Sequence, residues 1–224
     1  MSHNSLLPHI EISTGSTPSA SVIWLHGLGA DGHDFEPIVG ELNLRNSLAA
    51  RFIFPHAPNL PVTLNGGYVM PAWYDIAYPD LTLGEDEAGI RDSQQKVEQL
   101  IRREIERGIP ASHIVLAGFS QGGAMALQTG LRYRDKLAGI LALSTYLPLK
   151  STLPEERSIA NLDIPIFMAH GTLDTVIPPK SALSSRDFLE NLGYKVEWHE
   201  YPMAHSICPE EVNDIGKWLG QVLG

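Results

Sequence analysis

"HIVLAGFSQGG", residues 113–123, decides how this chain is read. A run of branched apolar residues ends in Gly118-x-Ser120-x-Gly122, and a helical pattern, "AMALQTGLRYR", follows at once. A serine between small residues, where a strand turns sharply into a helix, is a nucleophile elbow: the glycines let backbones pass closely and the turn lifts the hydroxyl clear of the sheet. A free serine hydroxyl is a poor nucleophile at neutral pH. The elbow therefore asks for a histidine base, a carboxylate to orient it, and donors for the oxyanion that forms.

Two later loops supply the partners. "IPIFMA" empties into "HGTLD", which places Asp174 beyond a strand's carboxyl end, and "KVEWHEY" leads into "PMAH", which places His205 in the next such loop. The chain order Ser120, Asp174, His205 is that of an α/β-hydrolase. Plainer readings exist for each residue. Asp174 could cap a turn before Pro178, and His205 could bridge two loops. His199 falls inside a strand pattern and His113 precedes the nucleophile strand, so neither is better placed as a base. Cys208 near His205 invites a thiol mechanism, but its flanking Glu210 and Glu211 oppose a low thiol pKa. His26 and His170 each precede a glycine at a strand end and read as loop-fixing residues.

The surrounding pattern sets the architecture. Apolar runs at Ser21–His26, Arg51–Phe54, His113–Ala117, Gly139–Leu143, Ile164–Ala169 and Lys195–Glu200 alternate with helical patterns. Such alternation predicts an α/β fold with a mostly parallel central sheet covered on both faces. The clearest helices are "AGIRDSQQKVEQLIRREIERG", Ser181–Leu192, and one starting at Pro209, where a missing N–H costs nothing. Asn59–Gly84 and Tyr146–Asp163 are long connections of the kind that form lids or binding loops. Both hold large apolar residues, so residues 1–224 are read as one domain.

"VIWLHGLGADGHDF", residues 22–35, contains Gly27-x-Gly29-x-x-Gly32 after a buried strand, formally a dinucleotide-binding turn. Two features oppose that. Asp34 reads as the N-cap of the next helix, which puts the third glycine before it, and the following strand, "RFIFPHAPN", ends without the ribose-binding acid. The loop fits an oxyanion hole better, with the amide of Leu28 joining that of Gln121.

Composition narrows the partners. A net charge of -10 leaves no basic patch for a nucleic acid. One cysteine permits no internal disulfide and no cysteine-rich metal site. No apolar run reaches membrane-spanning length, and the start lacks a signal-peptide pattern, so a cytoplasmic location is expected.

Together, "VIWLHGLGADGHDF", "MPAWYDI", "LAGFSQGGAMAL", "LALSTYLP", "HGTLD" and "YPMAH" resemble the carboxylesterase and acyl-protein thioesterase family of α/β-hydrolases, most closely its bacterial carboxylesterase branch. The resemblance implies a triad of Ser120, Asp174 and His205 and an oxyanion hole at Leu28 and Gln121, with no cofactor and no metal. It also implies a flap around Leu64–Ile76 beside an acyl groove, with Trp73 at its wall. Leu64, Tyr68, Met70 and Trp73, with Tyr146, Val176 and Ile177, then supply apolar surface. The expected activity is hydrolysis of short-to-medium acyl esters and of thioesters, with loss of Trp73 costing more on longer chains. Lysophospholipase or depalmitoylase activity is the alternative, with a lipid or acylated protein as substrate. A catalytically silent binding protein and a homodimer stay open.

Overall fold

The computed structural model describes residues 6–44, 48–81 and 83–224. Its elements in chain order are β1 (His9–Ser13), β2 (Ala20–Leu25), α1 (Ile38–Glu41), β3 (Ala50–Pro55), β4 (Asn59–Val62), β5 (Tyr68–Pro71) and α2 (Glu87–Glu106). Then come β6 (Ile114–Phe119), α3 (Gln121–Arg132), β7 (Gly139–Leu143), α4 (Leu153–Glu156), β8 (Ile166–Gly171), α5 (Pro179–Asn191), β9 (Val196–Tyr201) and α6 (Pro209–Val222). Seven strands form one sheet in the order β1-β3-β2-β6-β7-β8-β9. Only β1 runs antiparallel to its neighbour.

The continuous apolar runs follow from burial on both faces. Along β2, Val22 and Trp24 pack with Phe52, Phe54 and the α6 residues Ile215 and Trp218. Ile23 and Leu25 point the other way, into a cluster with Val97, Leu100 and Ile101 of α2 and Met125 and Leu127 of α3. Helices α2, α3 and α5 thus cover one face, and α1 and α6 the other. At the opposite end of the sheet from the elbow, buried Glu104 anchors α2. Its carboxylate accepts hydrogen bonds from Ser21 Oγ at 2.6 Å, Arg51 Nη1 at 2.6 Å and Arg107 Nη1 at 2.9 Å.

Four elements differ from the sequence reading. The edge strand β1 goes unpredicted, because its short "HIEIS" is only half-buried and carries a weak signal. The long connection Asn59–Gly84 contains a two-stranded antiparallel hairpin, β4–β5. Asp34 is not an N-cap: a short 3₁₀ turn, Gly32–Asp34, is capped by Asp31, whose side chain accepts from the His33 amide at 2.8 Å, and α1 starts only after Pro37. The connection Tyr146–Asp163 includes α4 and buries its first residues, Tyr146–Leu149, with Leu153 and Asn161, so it is anchored to the core at these points and does not form a free lid.

The topology fixes where a site can form. From β2 the chain moves to β3 on one side, and the later strands continue from β6 on the other side, so the order reverses between β2 and β6. In an open parallel sheet the crevice at that switch point, beyond the carboxyl ends of the strands, is the natural ligand site. The loops after β2, β6, β8 and β9 all open there.

Candidate active site

Ser120 follows β6 with φ 55° and ψ −122°, a conformation that a side chain larger than hydrogen adopts only under constraint. The constraint is visible. Its amide donates to Leu143 O at 2.8 Å, and its carbonyl accepts from Ala124 N at 3.1 Å and Thr145 Oγ1 at 2.7 Å. A Cβ on Gly118 would collide with the Gly122 backbone, and one on Gly122 with Leu25 O. The two glycines of the motif are therefore demanded by backbone contacts across the elbow.

The structure brings the three residues of the expected triad together. Ser120 Oγ lies 3.0 Å from His205 Nε2, and His205 Nδ1 lies 2.7 Å from Asp174 Oδ2. Asp174 has no exposed side-chain surface, whereas His205 keeps 16%. Asp174 Oδ1 accepts the amides of Val176 at 2.8 Å and Ile177 at 2.9 Å, so the carboxylate is turned with Oδ2 toward the imidazole. The loops carrying Asp174 and His205 are laced together by Thr172 N to Tyr201 O and Leu173 N to Met203 O. Phe119 packs against the imidazole at 4.7 Å between ring centres.

The glycine loop faces the elbow. Ala30 N donates to Gly27 O at 3.3 Å, closing a turn in which Gly29 takes φ +77°, the left-handed position that turns of this kind reserve for glycine. Leu28, at the other central position, lines the same pocket as Ser120, Gln121 and His205. Gln121 opens α3, so its amide has no partner within the helix. His26 holds the loop's base: its Nδ1 donates to Gly27 O at 2.7 Å and its Nε2 accepts from Ala57 N at 3.0 Å. Burial pushes its pKa down, which favours this neutral tautomer.

The pocket beside Ser120 encloses about 400 Å³ and is mostly apolar. Leu64, Tyr146, Val176 and Ile177 line it as expected, and Ile76, Pro79, Leu81 and Phe119 join them. Pro79 and Leu81 lie in the long connection that the sequence marked only as a whole; no periodic pattern singles them out. A second cavity of about 850 Å³, between α5 and the Tyr146–Ser151 segment, shares Pro79, Leu81 and Tyr146 with the first. Tyr146 Oη bonds Tyr74 Oη at 2.8 Å. Burial pushes Tyr146 up to about 12 and Tyr74 also well up, so both phenols stay protonated near neutral pH.

Trp73 is not at the groove wall. It is 1% exposed, its Nε1 donates to His26 O at 2.9 Å and its amide to Gln121 Oε1 at 2.8 Å. Gln121 Nε2 returns a bond to Tyr74 O at 2.8 Å, and Ser93 Oγ donates to Trp73 O. An indole flanked by prolines in sequence gives no sign of whether it faces ligand or core. Met70 does not line the pocket, its Sδ lying against Gly29 and Asn65 Nδ2, and Tyr68, also outside the lining, is 70% exposed on the hairpin. Cys208 N-caps α6, and burial, with the acidic flank, raises its thiol pKa. Among the described residues, no group of three or more His, Cys, Asp or Glu could hold a metal ion, and no helix is long and apolar enough to cross a membrane.

Residues 8–223 match the Phospholipase/Carboxylesterase family. Acyl-protein thioesterase 1 of Neurospora crassa is 44% identical over 225 residues, covering 96% of this chain and 92% of the relative. Among solved structures, Arabidopsis thaliana SOBER1 superposes with a TM-score of 0.87 at 32% identity, covering 92% of this chain and 99% of that one. Zea mays acyl-protein thioesterase 2 gives 0.84 at 30%, covering 97% and 99%.

Proposed function

This chain belongs to the phospholipase/carboxylesterase family of α/β-hydrolases, and from that premise we propose that it opens carboxylic esters and thioesters through an acyl-enzyme on Ser120. The observation that carries the proposal is the continuous relay of 3.0 Å and 2.7 Å from Ser120 Oγ through His205 to Asp174, at the base of an apolar pocket. Ser120 Oγ attacks the acyl carbonyl while His205 Nε2 takes its proton. Asp174 holds the Nδ1–H tautomer and balances the imidazolium. The amides of Leu28 and Gln121 stabilise the tetrahedral oxyanion, and His205 returns the proton to the departing alcohol or thiol. Water then repeats the sequence on the acyl-enzyme. The oxyanion donors act on the carbonyl, so oxygen and sulfur leaving groups both react.

The 400 Å³ pocket suits short-to-medium acyl chains. A second reading, removal of long acyl groups from a lipid or an acylated protein, draws on the larger cavity that joins it at Tyr146 and Leu81, and on relatives named acyl-protein thioesterase. The deciding experiment crosses acyl length with oxygen and sulfur leaving groups. Turnover of acetyl and butyryl esters that rises and then levels off supports the first reading. Inert short esters with activity climbing through palmitoyl support the second. Failure of a fluorophosphonate to label Ser120 would overturn both in favour of a silent binding protein.

A further inference from the structure

A second histidine touches the carboxylate of Asp174 and belongs to no step of the relay. His170 lies near the end of β8, four residues before Asp174, and is 1% exposed. Its Nε2 is 2.8 Å from Ile177 O and 3.3 Å from Asp174 Oδ2. Ile177 O is an acceptor, so Nε2 carries the proton and donates it there, while Asp174 Oδ2 lies beside the same N–H as an electrostatic contact. Its Nδ1 is buried without a hydrogen bond, as a ring held by Nε2 alone would be. Besides Asp174, the charged or titratable groups around it are His205 and Glu200, and burial, the largest influence, pushes its pKa down. A neutral ring with its proton on Nε2 fits all of these contacts.

The geometry points to His170 as a positioning residue: its Nε2–H holds the Ile177 carbonyl and turns its positive edge to Asp174 Oδ2, which keeps the carboxylate in the orientation that His205 needs. Ile177 links the two ends of this arrangement, donating its amide to Asp174 Oδ1 while its carbonyl accepts from His170. The loop from 174 to 177 is thereby closed by hydrogen bonds at Asp174 Oδ1 and at the Ile177 carbonyl, with the His170 N–H facing Oδ2. Trp198 lies nearly parallel to the ring, at 6.5 Å between centres and 13° between planes. His170 never reaches Ser120; it acts on the base through the acid.

The inference rests on the triad reading, so its test begins with Ser120→Ala, which must abolish turnover; survival of activity there would count against the triad and not against His170. His170→Leu keeps an apolar side chain of moderate size and removes the donor, and His170→Asn is polar but too short to reach Oδ2. Each should lower kcat by about ten- to a hundredfold, the upper end being the scale for a catalytic group misplaced by about 1 Å, with KM unchanged. His170→Gln, whose amide N–H reaches farther, should recover most of the loss. If the leucine variant does not fold, the asparagine and glutamine pair carries the comparison. In an Asp174→Asn background, the same His170 substitutions should cost almost nothing further, because the contact that they remove is already broken. Unchanged kcat in the asparagine variant, or losses that multiply with Asp174→Asn, would overturn the assignment.

Discussion

Asp174 accepts two backbone amides on Oδ1 and faces two histidines on Oδ2, and this asymmetry predicts what an amide would do in its place. In Asp174→Asn the amide oxygen stays on the Val176 and Ile177 N–H groups, which leaves Nδ2 facing His205 Nδ1. The imidazole must then carry its proton on Nε2, toward Ser120, where it can no longer act as base. We expect kcat to fall on the order of 10³ to 10⁴, as when a triad tautomer is mis-set elsewhere, with the melting temperature little changed. Cys208→Ser should leave turnover near wild type, since the thiol only precedes α6. Glu211 offers a test in pH. Its carboxyl is buried at the start of α6, and burial pushes its pKa up to about 8, with the Cys208 backbone pulling weakly the other way. A carboxyl whose folded pKa exceeds its unfolded value binds more protons when folded, so its contribution is fully present below the ordinary carboxyl range and is lost as pH rises toward 8. Glu211→Gln should therefore match wild type in thermal melts at acid pH and become the more stable protein at pH 8 to 9.

At the scale of elements, the β4–β5 hairpin and the segment after it buttress the glycine loop. Pro71 O accepts the Gly29 amide at 2.8 Å, and the Trp73 indole holds His26 O at the loop's other end. Truncating Trp73 empties a core site and frees a carbonyl that fixes the oxyanion loop. Trp73→Ala should cost about 3–5 kcal/mol in urea unfolding, in the range for buried aromatics, and should lower activity on acetyl and octanoyl esters alike. An acetyl-to-octanoyl ratio that shifts against the longer chain would restore Trp73 to the groove wall. The elbow is less forgiving. Gly122→Ala places a methyl against Leu25 O, so circular dichroism and expression should both show a poorly folded protein.

Across the whole molecule, the two cavities meet where the Pro79–Leu81 segment approaches Tyr146, elements that lie far apart in the chain. Each buried methylene is worth about 0.8 kcal/mol, so kcat/KM should rise about fourfold per added carbon while the chain stays in the first pocket. Leu81→Trp fills the junction. It should leave butyryl hydrolysis near wild type and cut activity on longer chains only if these cross into the second cavity. A substrate series on both proteins locates the end of the usable groove.

The sequence by itself determined the alternation of buried strands and helices, the elbow at Ser120 and the loops holding Asp174 and His205, because these features are local. Burial on both faces writes continuous apolar runs, and a strained turn between close backbones writes glycines at fixed spacing. The glycines of "HGLGADG" belong to the same class: the φ of Gly29 and the close approach of Gly32 to Phe54 O are backbone demands that leave few residue choices. Only the tertiary structure decided what no short segment encodes. The side on which Trp73 is buried depends on contacts with His26 and Gln121, 47 and 48 residues away. The half-buried edge strand β1 is defined by pairing with β3, and Asp34 falls inside a 3₁₀ turn capped by Asp31, so that α1 begins only after Pro37. The second contact on Asp174 Oδ2 is likewise invisible in "AHGTLD", because whether a histidine four residues from an aspartate touches it depends on how the strand end and the following turn fold over each other.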